Sequence, residues 1–111
     1  MANSDFLRDI WLDRLLVLGG LELSLHSADP GDTGTNEVEG VRQPLVLERT
    51  GVGRAQNAET IEFGPLPGGR ITHFGVWSEG RFLLGMSFPA QDVEMGQAVR
   101  WGARDITVRL G

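Results

Sequence analysis

The chain is 111 residues long, contains 16 glycines, 5 prolines and no cysteine, and has a formal net charge of −5. This length accommodates one domain with a modest core, and the frequent glycines and prolines favour short strands over long helices. The acidic balance argues against nonspecific nucleic-acid binding, which needs a dense cationic surface, and the lack of cysteine excludes a disulfide framework, a thiolate zinc site and a cysteine nucleophile.

The first predicted element is an amphipathic helix within residues 1–20. Ser4 is a suitable N-cap, and apolar residues then recur at the spacing of one helix face. That face comprises Phe6, Leu7, Ile10, Trp11, Arg14 and Leu15. Asp9 and Asp13 are expected on the wetter side, and the Gly19-Gly20 pair is expected to end the helix.

Residues 21–40 predict a strand that runs directly into a long acidic loop. In residues 21–26, three leucines alternate with three polar residues, which is the pattern of a half-buried strand. Turn-forming Gly, Pro, Asp and Thr residues follow. An EF-hand calcium frame fails, because the third position counted from Asp29 is Gly31 and the twelfth is Gly40. We therefore expect residues 29–40 to be ordered without a metal.

The rest of the chain predicts short strands separated by turns. They cover residues 44–49, 60–63, 70–77, 81–88, 98–101 and 105–110, with a further strand start within residues 50–55 and a short strand that holds Val93 and Met95. Residues 78–80 predict a hairpin turn, and residues 89–91 predict a break. These elements predict a mainly β chain: an antiparallel, jelly-roll-like β-sandwich of about eight strands over residues 21–111, in one domain with the helix.

Few residues form a recognisable chemical motif. His26 and His73 lack a metal-ligand spacing, so we interpret them as hydrogen-bonded strand residues, with a metal pair assembled through space as the alternative. No serine has a GxSxG context or an evident neighbouring base, and no spacing marks a catalytic carboxylate pair. We therefore expect no enzymatic activity, no catalytic residues, no metal and no cofactor. No segment reaches the ~20 apolar residues of a membrane span and no leader precedes the helix, so we expect a soluble chain without membrane insertion.

Trp77 and Trp101 are the candidate contact residues. Both are predicted at strand ends, near Arg81, Arg100 and Arg104, where an exposed indole could stack on a sugar or anchor a partner chain. Packing in the core is the favoured interpretation of both tryptophans, because a tryptophan on an alternating strand is more often buried, and the contact role is the alternative. All ten basic residues are arginine. Genome composition explains that bias, and the alternative is a use of planar, bidentate donors against carboxylates or sugars.

Several blocks of the sequence, taken in order, carry a resemblance to a known protein family. The first is Leu25-His26-Ser27-Ala28-Asp29-Pro30, continued by Gly34-Thr35-Asn36-Glu37-Val38 and Gly40-Val41-Arg42; the second is Ile71-Thr72-His73-Phe74-Gly75-Val76-Trp77. Leu83-Leu84-Gly85, residues 93–97 and residues 101–110 complete the series. In this order the blocks resemble a family of small tail fibre proteins of tailed phages and phage-like particles, and they are similar to the head-spike fibre component of gene transfer agents. The chain departs from the family pattern after Gly40, where a Gly-Gly-x-Tyr-x-Arg segment is usual and this chain has no tyrosine.

The resemblance implies a structural role in a fibre or spike. It implies a homo-oligomer, a trimer or pentamer, mounted on other particle proteins such as a spike base or a tail baseplate. It also implies synthesis in the bacterial cytoplasm, incorporation into an extracellular particle, and attachment to a bacterial surface polysaccharide. It supplies no catalytic residues. A passive connector of the particle and a stand-alone carbohydrate-binding module remain the alternatives, and nucleic acid is not an expected partner.

Overall fold

The structure is a computed structural model that describes residues 4–38 and 42–109. Within these residues it contains one helix and nine strands: α1 (Asp5–Val17), β1 (Leu21–His26), β2 (Gln43–Pro44), β3 (Leu47–Gly51), β4 (Arg54–Asn57), β5 (Ile61–Phe63), β6 (Gly69–Ser78), β7 (Arg81–Val93), β8 (Val99–Trp101) and β9 (Thr107–Arg109). The strands of each sheet pair antiparallel. The prediction of a mainly β, sandwich-like fold with about eight strands and one helix is confirmed.

The strands form three sheets around one apolar core. The four-stranded sheet has the order β2-β1-β6-β7, the three-stranded sheet β3-β4-β9, and the two-stranded sheet pairs β5 with β8. Residues from the helix and from all three sheets meet in the core, and they include Leu12, Leu23, Phe74, Ala55, Val108 and Phe63. Such convergence is what a small domain needs to bury enough apolar surface.

Helix α1 begins as predicted and ends slightly earlier. The hydroxyl of Ser4 accepts a hydrogen bond from the backbone N–H of Leu7 at 3.1 Å, which satisfies one of the free donors of the first turn. The last helical residue is Val17, and Leu18 is an extended C-cap. Gly20 has the left-handed φ of 61°, so the glycine pair redirects the chain after the cap into β1.

The predicted face of the helix is largely wrong. Leu12 and Leu15 are the buried helix residues, whereas Phe6 is 77% exposed. Asp9 and Asp13 do lie on the wetter side, as predicted, with side chains 40% and 70% exposed, and both form ion pairs with Arg49 of β3. The helix carries apolar residues around most of its circumference, so its pattern does not fix one orientation, and packing against the core selects the side that carries Leu12 and Leu15.

The register of β1 and β6 produces two different faces of the four-stranded sheet. Leu23 lies opposite Val76 and Leu25 opposite Phe74, and these four buried residues form what we call the core face. Ser24 lies opposite Gly75, and His26 opposite His73, on the other side. We call this second side, with Trp77, the capped face. The strand predicted over residues 21–26 and the alternation of its side chains between two faces are confirmed, as is the central position predicted for residues 70–77. The prediction that this strand is half-buried is wrong, because Ser24 and His26 on the capped face are buried as fully as Leu23 and Leu25.

The predicted ends of several strands are wrong. β7 continues through Pro89 to Val93, because a register shift opposite Thr72 accommodates the proline on the edge strand of the sheet. Met95 lies outside the strands, and residues 44–49 are divided between β2 and β3. The hairpin turn at residues 78–80 is confirmed: Glu79 and Gly80 have φ angles of 50° and 80°, as a two-residue turn between twisted strands requires.

Candidate functional site

Trp77, the first candidate contact residue, lies in the interior of the capped face. Its relative exposure is 7%, and its indole Nε1 donates a hydrogen bond to Ser24 Oγ at 2.7 Å. The guanidinium of Arg42 lies over the ring, 3.6 Å from the ring centroid. Phe82 packs edge-on against the same ring. Of the two interpretations of this tryptophan, core packing is the one that the structure shows.

The acidic loop covers Trp77 and closes the capped face; its described part is residues 27–38. Gly34 has a φ of 80°, and a Cβ atom there would lie 2.6 Å from the Trp77 ring. Only glycine permits so close an approach of the backbone in this conformation. Pro30 is buried, and it lies where a Cβ atom on Gly85 of β7 would stand. The two contacts fix the loop across the sheet.

The loop is held by its own polar groups. Asp29 accepts a hydrogen bond from the Gly31 backbone N–H at 2.8 Å, and the Val38 N–H donates to the Leu25 carbonyl at 2.8 Å. Glu37 receives two hydrogen bonds from Arg42, at 2.7 and 2.9 Å. Residues 29–38 of the segment expected to be ordered are thus built into the fold, and residues 39 and 40 lie outside the described residues. No group of three or more His, Asp or Glu side chains suited to a metal occurs in residues 4–38 and 42–109.

His26 connects the sheet to the loop. Its Nδ1 lies 2.7 Å from the Thr35 carbonyl oxygen, which can only accept, so Nδ1–H is the donor. In the neutral ring Nε2 is then an acceptor, and the Ser24 hydroxyl 2.6 Å away donates to it. Ser24 Oγ in turn accepts from Trp77. One chain of hydrogen bonds therefore runs from Trp77 through Ser24 and His26 to the loop backbone, with each polar atom satisfied.

The Ser24–His26 pair has the geometry of a nucleophile and its base, so the prediction that no serine has a neighbouring base is wrong. Their spacing of two residues on one strand places both side chains on the same face, and this was the available signal. Both residues are 0% exposed. A Cβ atom on Gly75 would lie 2.5 Å from His26 Nε2 and closer still to Ser24 Oγ. The space in front of the hydroxyl is filled by protein, so the pair joins the sheet to the loop in this conformation.

Burial is the main influence on the protonation of His26. It lowers the pKa of the imidazole from its usual value of 6.5, because a charged ring would lose hydration. The hydrogen bond to Thr35 and the charge of Glu37 act in the opposite direction, and His73 and Arg42 act with burial. The neutral ring is also the form that accepts the hydrogen bond from Ser24, so burial and hydrogen bonding both favour a neutral His26.

The other candidate contact residues lie elsewhere. Trp101 of β8 is partly buried among Phe63, Phe74 and Phe88, with ring centroids 4.9 to 5.9 Å away. Arg100 precedes it on β8 and is exposed, and Arg104 lies in the following turn, 3.4 Å from Glu48.

Arg81 opens β7, where it pairs with Ser78 beside Trp77. The structure therefore places Arg100, Trp101 and Arg104 along one stretch of chain and Arg81 with Trp77 on the other sheet. It does not assemble them into one pocket.

Comparisons with known proteins do not assign the chain to a family. No family model matches it, and no curated protein matches it. In residues 4–38 and 42–109 we find no helix of the length and apolar character that crossing a membrane requires.

Proposed function

We propose that the chain is a structural component of a fibre or spike of a phage-like particle. It acts there as a homo-oligomer, a trimer or pentamer, fixed to other particle proteins. It is made in the bacterial cytoplasm and is carried on the extracellular particle. The proposal adds no catalytic step, since the role is mechanical.

The observation that carries the proposal is the meeting of the two sequence blocks that resemble small tail fibre proteins. Residues 25–30 and 71–77 are far apart in the sequence, yet β1 and β6 pair over six residues. The hydrogen bonds among Ser24, His26 and Trp77 join them. The residues of the two blocks position a loop and fill the interior, and this supports a scaffold role.

Contact with a bacterial surface polysaccharide is part of the proposal. Exposed Arg100 and Arg104 offer planar donors for a sugar, whereas the Trp101 ring, between them in the sequence, packs against Phe63, Phe74 and Phe88 and is partly buried. The burial of Trp77 favours the second candidate, a passive connector, because this indole has little surface to offer a ligand. A stand-alone carbohydrate-binding module would use the same arginines without the particle.

Particle composition tests the structural role. We expect an epitope-tagged chain to copurify with particles from the producing bacterium and to appear at regular positions in immunogold electron microscopy. Particles from a deletion strain should lack the corresponding fibre or spike. A tagged chain that stays wholly in the cell fraction, with unchanged particles from the deletion strain, would refute the role.

Binding to purified capsule or lipopolysaccharide separates the adhesin from the connector. If the arginine and tryptophan stretch binds sugar, the Arg100→Ala/Arg104→Ala variant should lose binding, and the Arg54→Ala variant, which changes an exposed arginine of β4, should keep it. Equal binding by both variants would show that Arg100 and Arg104 do not bind the sugar. If the wild-type chain does not bind at all, the chain is a passive connector and not an adhesin.

A further inference from the structure

The loop over the capped face contains a compact turn, residues 29–35, which we call the tip. Its hydrogen bonds lie mostly within it. The Asp29 carboxylate accepts a hydrogen bond from the Gly31 N–H at 2.8 Å. The Pro30 carbonyl accepts from the N–H groups of Gly34 and Thr35, both at 2.9 Å, and from the Thr35 hydroxyl at 3.2 Å. Because these bonds are internal, the tip can leave the sheet as a unit without losing them.

A short antiparallel bridge holds the two ends of the tip together. Glu37 pairs with His26 at the end of β1. The Ser27 N–H donates a hydrogen bond to the Asn36 carbonyl at 3.0 Å. These bridge contacts do not involve residues 29–35, so the bridge is a base about which the tip can swing.

The tip is attached to the sheet at three points. Pro30 and Gly34 are its buried residues and pack against β7 and β6, whereas its other five residues are exposed. The third point is the hydrogen bond from His26 Nδ1–H to the Thr35 carbonyl, at 2.7 Å. In the part of the chain that the structure describes, this is the only hydrogen bond between the tip and a strand. The single polar attachment of the tip is therefore made by a titratable ring.

The closed state suits a neutral His26 and not a charged one. The ring is 0% exposed, and its Nε2 accepts a hydrogen bond from the Ser24 hydroxyl at 2.6 Å. Protonation turns Nε2 into a donor. Ser24 Oγ would then face two donors, because the Trp77 indole N–H points at the same oxygen from 2.7 Å, and the hydroxyl proton would lose its acceptor. Departure of the tip would let water hydrate the charged ring.

The charged groups around His26 do not offset its burial. They are Glu37, Arg42 and His73, together with the exposed tip carboxylates of Asp29 and Asp32. Glu37 favours a charged ring, but it is already held by two hydrogen bonds from Arg42. His73 lies directly opposite His26 on β6 and disfavours the charge. β7 contributes the uncharged ring of Phe82, edge-on with the centroids 6.4 Å apart.

We propose that the tip is an acid-released latch: protonation of His26 frees residues 29–35 from the sheet while the strands beneath remain folded. Release uncovers the edge of the Trp77 ring that Gly34 covers, so mild acid makes available an indole that the closed state withholds from any ligand. This inference does not depend on the particle role proposed above.

The direction of the pH dependence follows from where the proton binds more tightly. Burial lowers the pKa of His26 in the closed state from its usual 6.5, so the released state binds the proton first. The ratio of released to closed molecules is constant above pH 6.5 and rises below it. The rise is at most about tenfold per pH unit and ends when the pH reaches the pKa of the closed state.

Hydrogen exchange of the Trp77 indole N–H, followed by NMR, tests the latch. The opening constant is the observed exchange rate divided by the rate of a free indole at the same pH. We expect it to be at least about tenfold larger than the opening constants of the β6 backbone N–H groups, because release is local and unfolding is not. It should rise about threefold or more between about pH 7.5 and 5.5. Far-ultraviolet circular dichroism should stay constant over this range.

Variants of the two histidines identify the titrating group. His26→Gln should lose the rise in the indole opening constant, and the matched variant His73→Gln should keep it. If His26→Gln does not fold, the NMR titration of the His26 ring in the wild type replaces it. A ring midpoint below 6.5 supports the latch, and a midpoint at or above 6.5 overturns it.

Variants of the tip show whether exchange proceeds through its release. Pro30→Ala removes most of one buried contact with the sheet and should raise the indole opening constant about tenfold at every pH. Thr33→Ala, at an exposed position of the tip, is the matched control and should change it less than about twofold. Equal effects of the two variants would overturn the tip as the cover of Trp77.

Two results in the wild type would also overturn the proposal. Equal opening constants for the indole and for the β6 backbone would mean that the face opens only by global unfolding. An indole opening constant that does not change with pH, or a rise that persists in His26→Gln, would mean that His26 does not control the tip.

Discussion

The two faces of the four-stranded sheet are both buried, but by different means. On the core face, Leu23 and Leu25 pack with Phe74 and Val76 in a continuous apolar cluster. On the capped face, Ser24 and His26 are equally inaccessible, yet their burial depends on hydrogen bonds to Trp77 and to the loop backbone. An apolar core tolerates substitutions that conserve side-chain volume, whereas a buried polar group destabilises the fold as soon as it loses one of its hydrogen-bond partners. The capped face should therefore be the more sensitive to small changes.

Gly75→Ala should have the largest effect on the capped face. The added methyl group would lie 2.5 Å from His26 Nε2 and would also displace the Ser24 hydroxyl, so both overpacking and lost hydrogen bonds contribute. We expect a loss of about 4 kcal/mol in the free energy of unfolding, measured by urea denaturation. Gly19→Ala, whose new methyl group would meet its nearest atom at 3.9 Å, should change stability little. Equal stability of the two variants would show that the capped face is loosely packed.

Leu23→Ala gives the corresponding measure for the core face. Leu23 is 0% exposed, and its truncation leaves a cavity among apolar neighbours. We expect a cost of about 3 kcal/mol, with the loop and the hydrogen bonds of the capped face unchanged. The NMR chemical shift of the Trp77 indole N–H reports whether the hydrogen bonds of the capped face are unchanged. If Leu23→Ala changes this chemical shift as much as Gly75→Ala does, the two faces are not independent.

Ser24→Ala removes one hydroxyl from the capped face. The Trp77 N–H and His26 Nε2 would both lose their partner, which should cost about 2 kcal/mol. Ser87→Ala, at an exposed position of β7, is the matched control and should lie within about 0.5 kcal/mol of the wild type. If the two serine variants are equally stable, the hydrogen-bond chain does not contribute to stability.

Mild acid should weaken the capped face selectively. Burial holds the pKa of His26 below its usual value of 6.5, so the unfolded chain binds this proton first as the pH falls. The stabilisation is complete above 6.5 and decreases as the pH drops through the folded pKa, by at most about 1.4 kcal/mol per pH unit. Urea unfolding of the wild type across this window should show the slope, and His73→Gln should retain it. A slope that persists in His26→Gln would assign it to another group.

The features predicted correctly from sequence depend on neighbours in the chain. The Ser4 cap, the alternation of residues 21–26 and the turn at Glu79 and Gly80 each need only a few consecutive residues. Local hydrogen bonds and the pleat of a strand determine them. Together they were enough to predict a mainly β fold with one N-terminal helix.

The features that sequence did not predict depend on distant contacts. The orientation of α1 depends on the packing of Leu12 and Leu15 against strands far along the chain, and Arg49, which pairs with both aspartates, is more than thirty positions away. The burial of Trp77 results from a loop that folds back over β6, and the alternation of polar and apolar residues does not predict where a loop folds. Pro89 breaks a strand only where its missing N–H is needed, and on an edge strand it is not. Spacing alone therefore could not assemble the capped face.

Solvent access to Trp77 tests most directly whether the capped face is closed by the loop. In the Trp11→Phe/Trp101→Phe variant, Trp77 is the sole source of indole fluorescence. We predict that acrylamide quenches this emission far less than it quenches the same variant unfolded in urea, because Gly34 and Arg42 cover the ring. Quenching as strong as in the unfolded chain would contradict the closed face and would restore Trp77 as a residue available to a ligand.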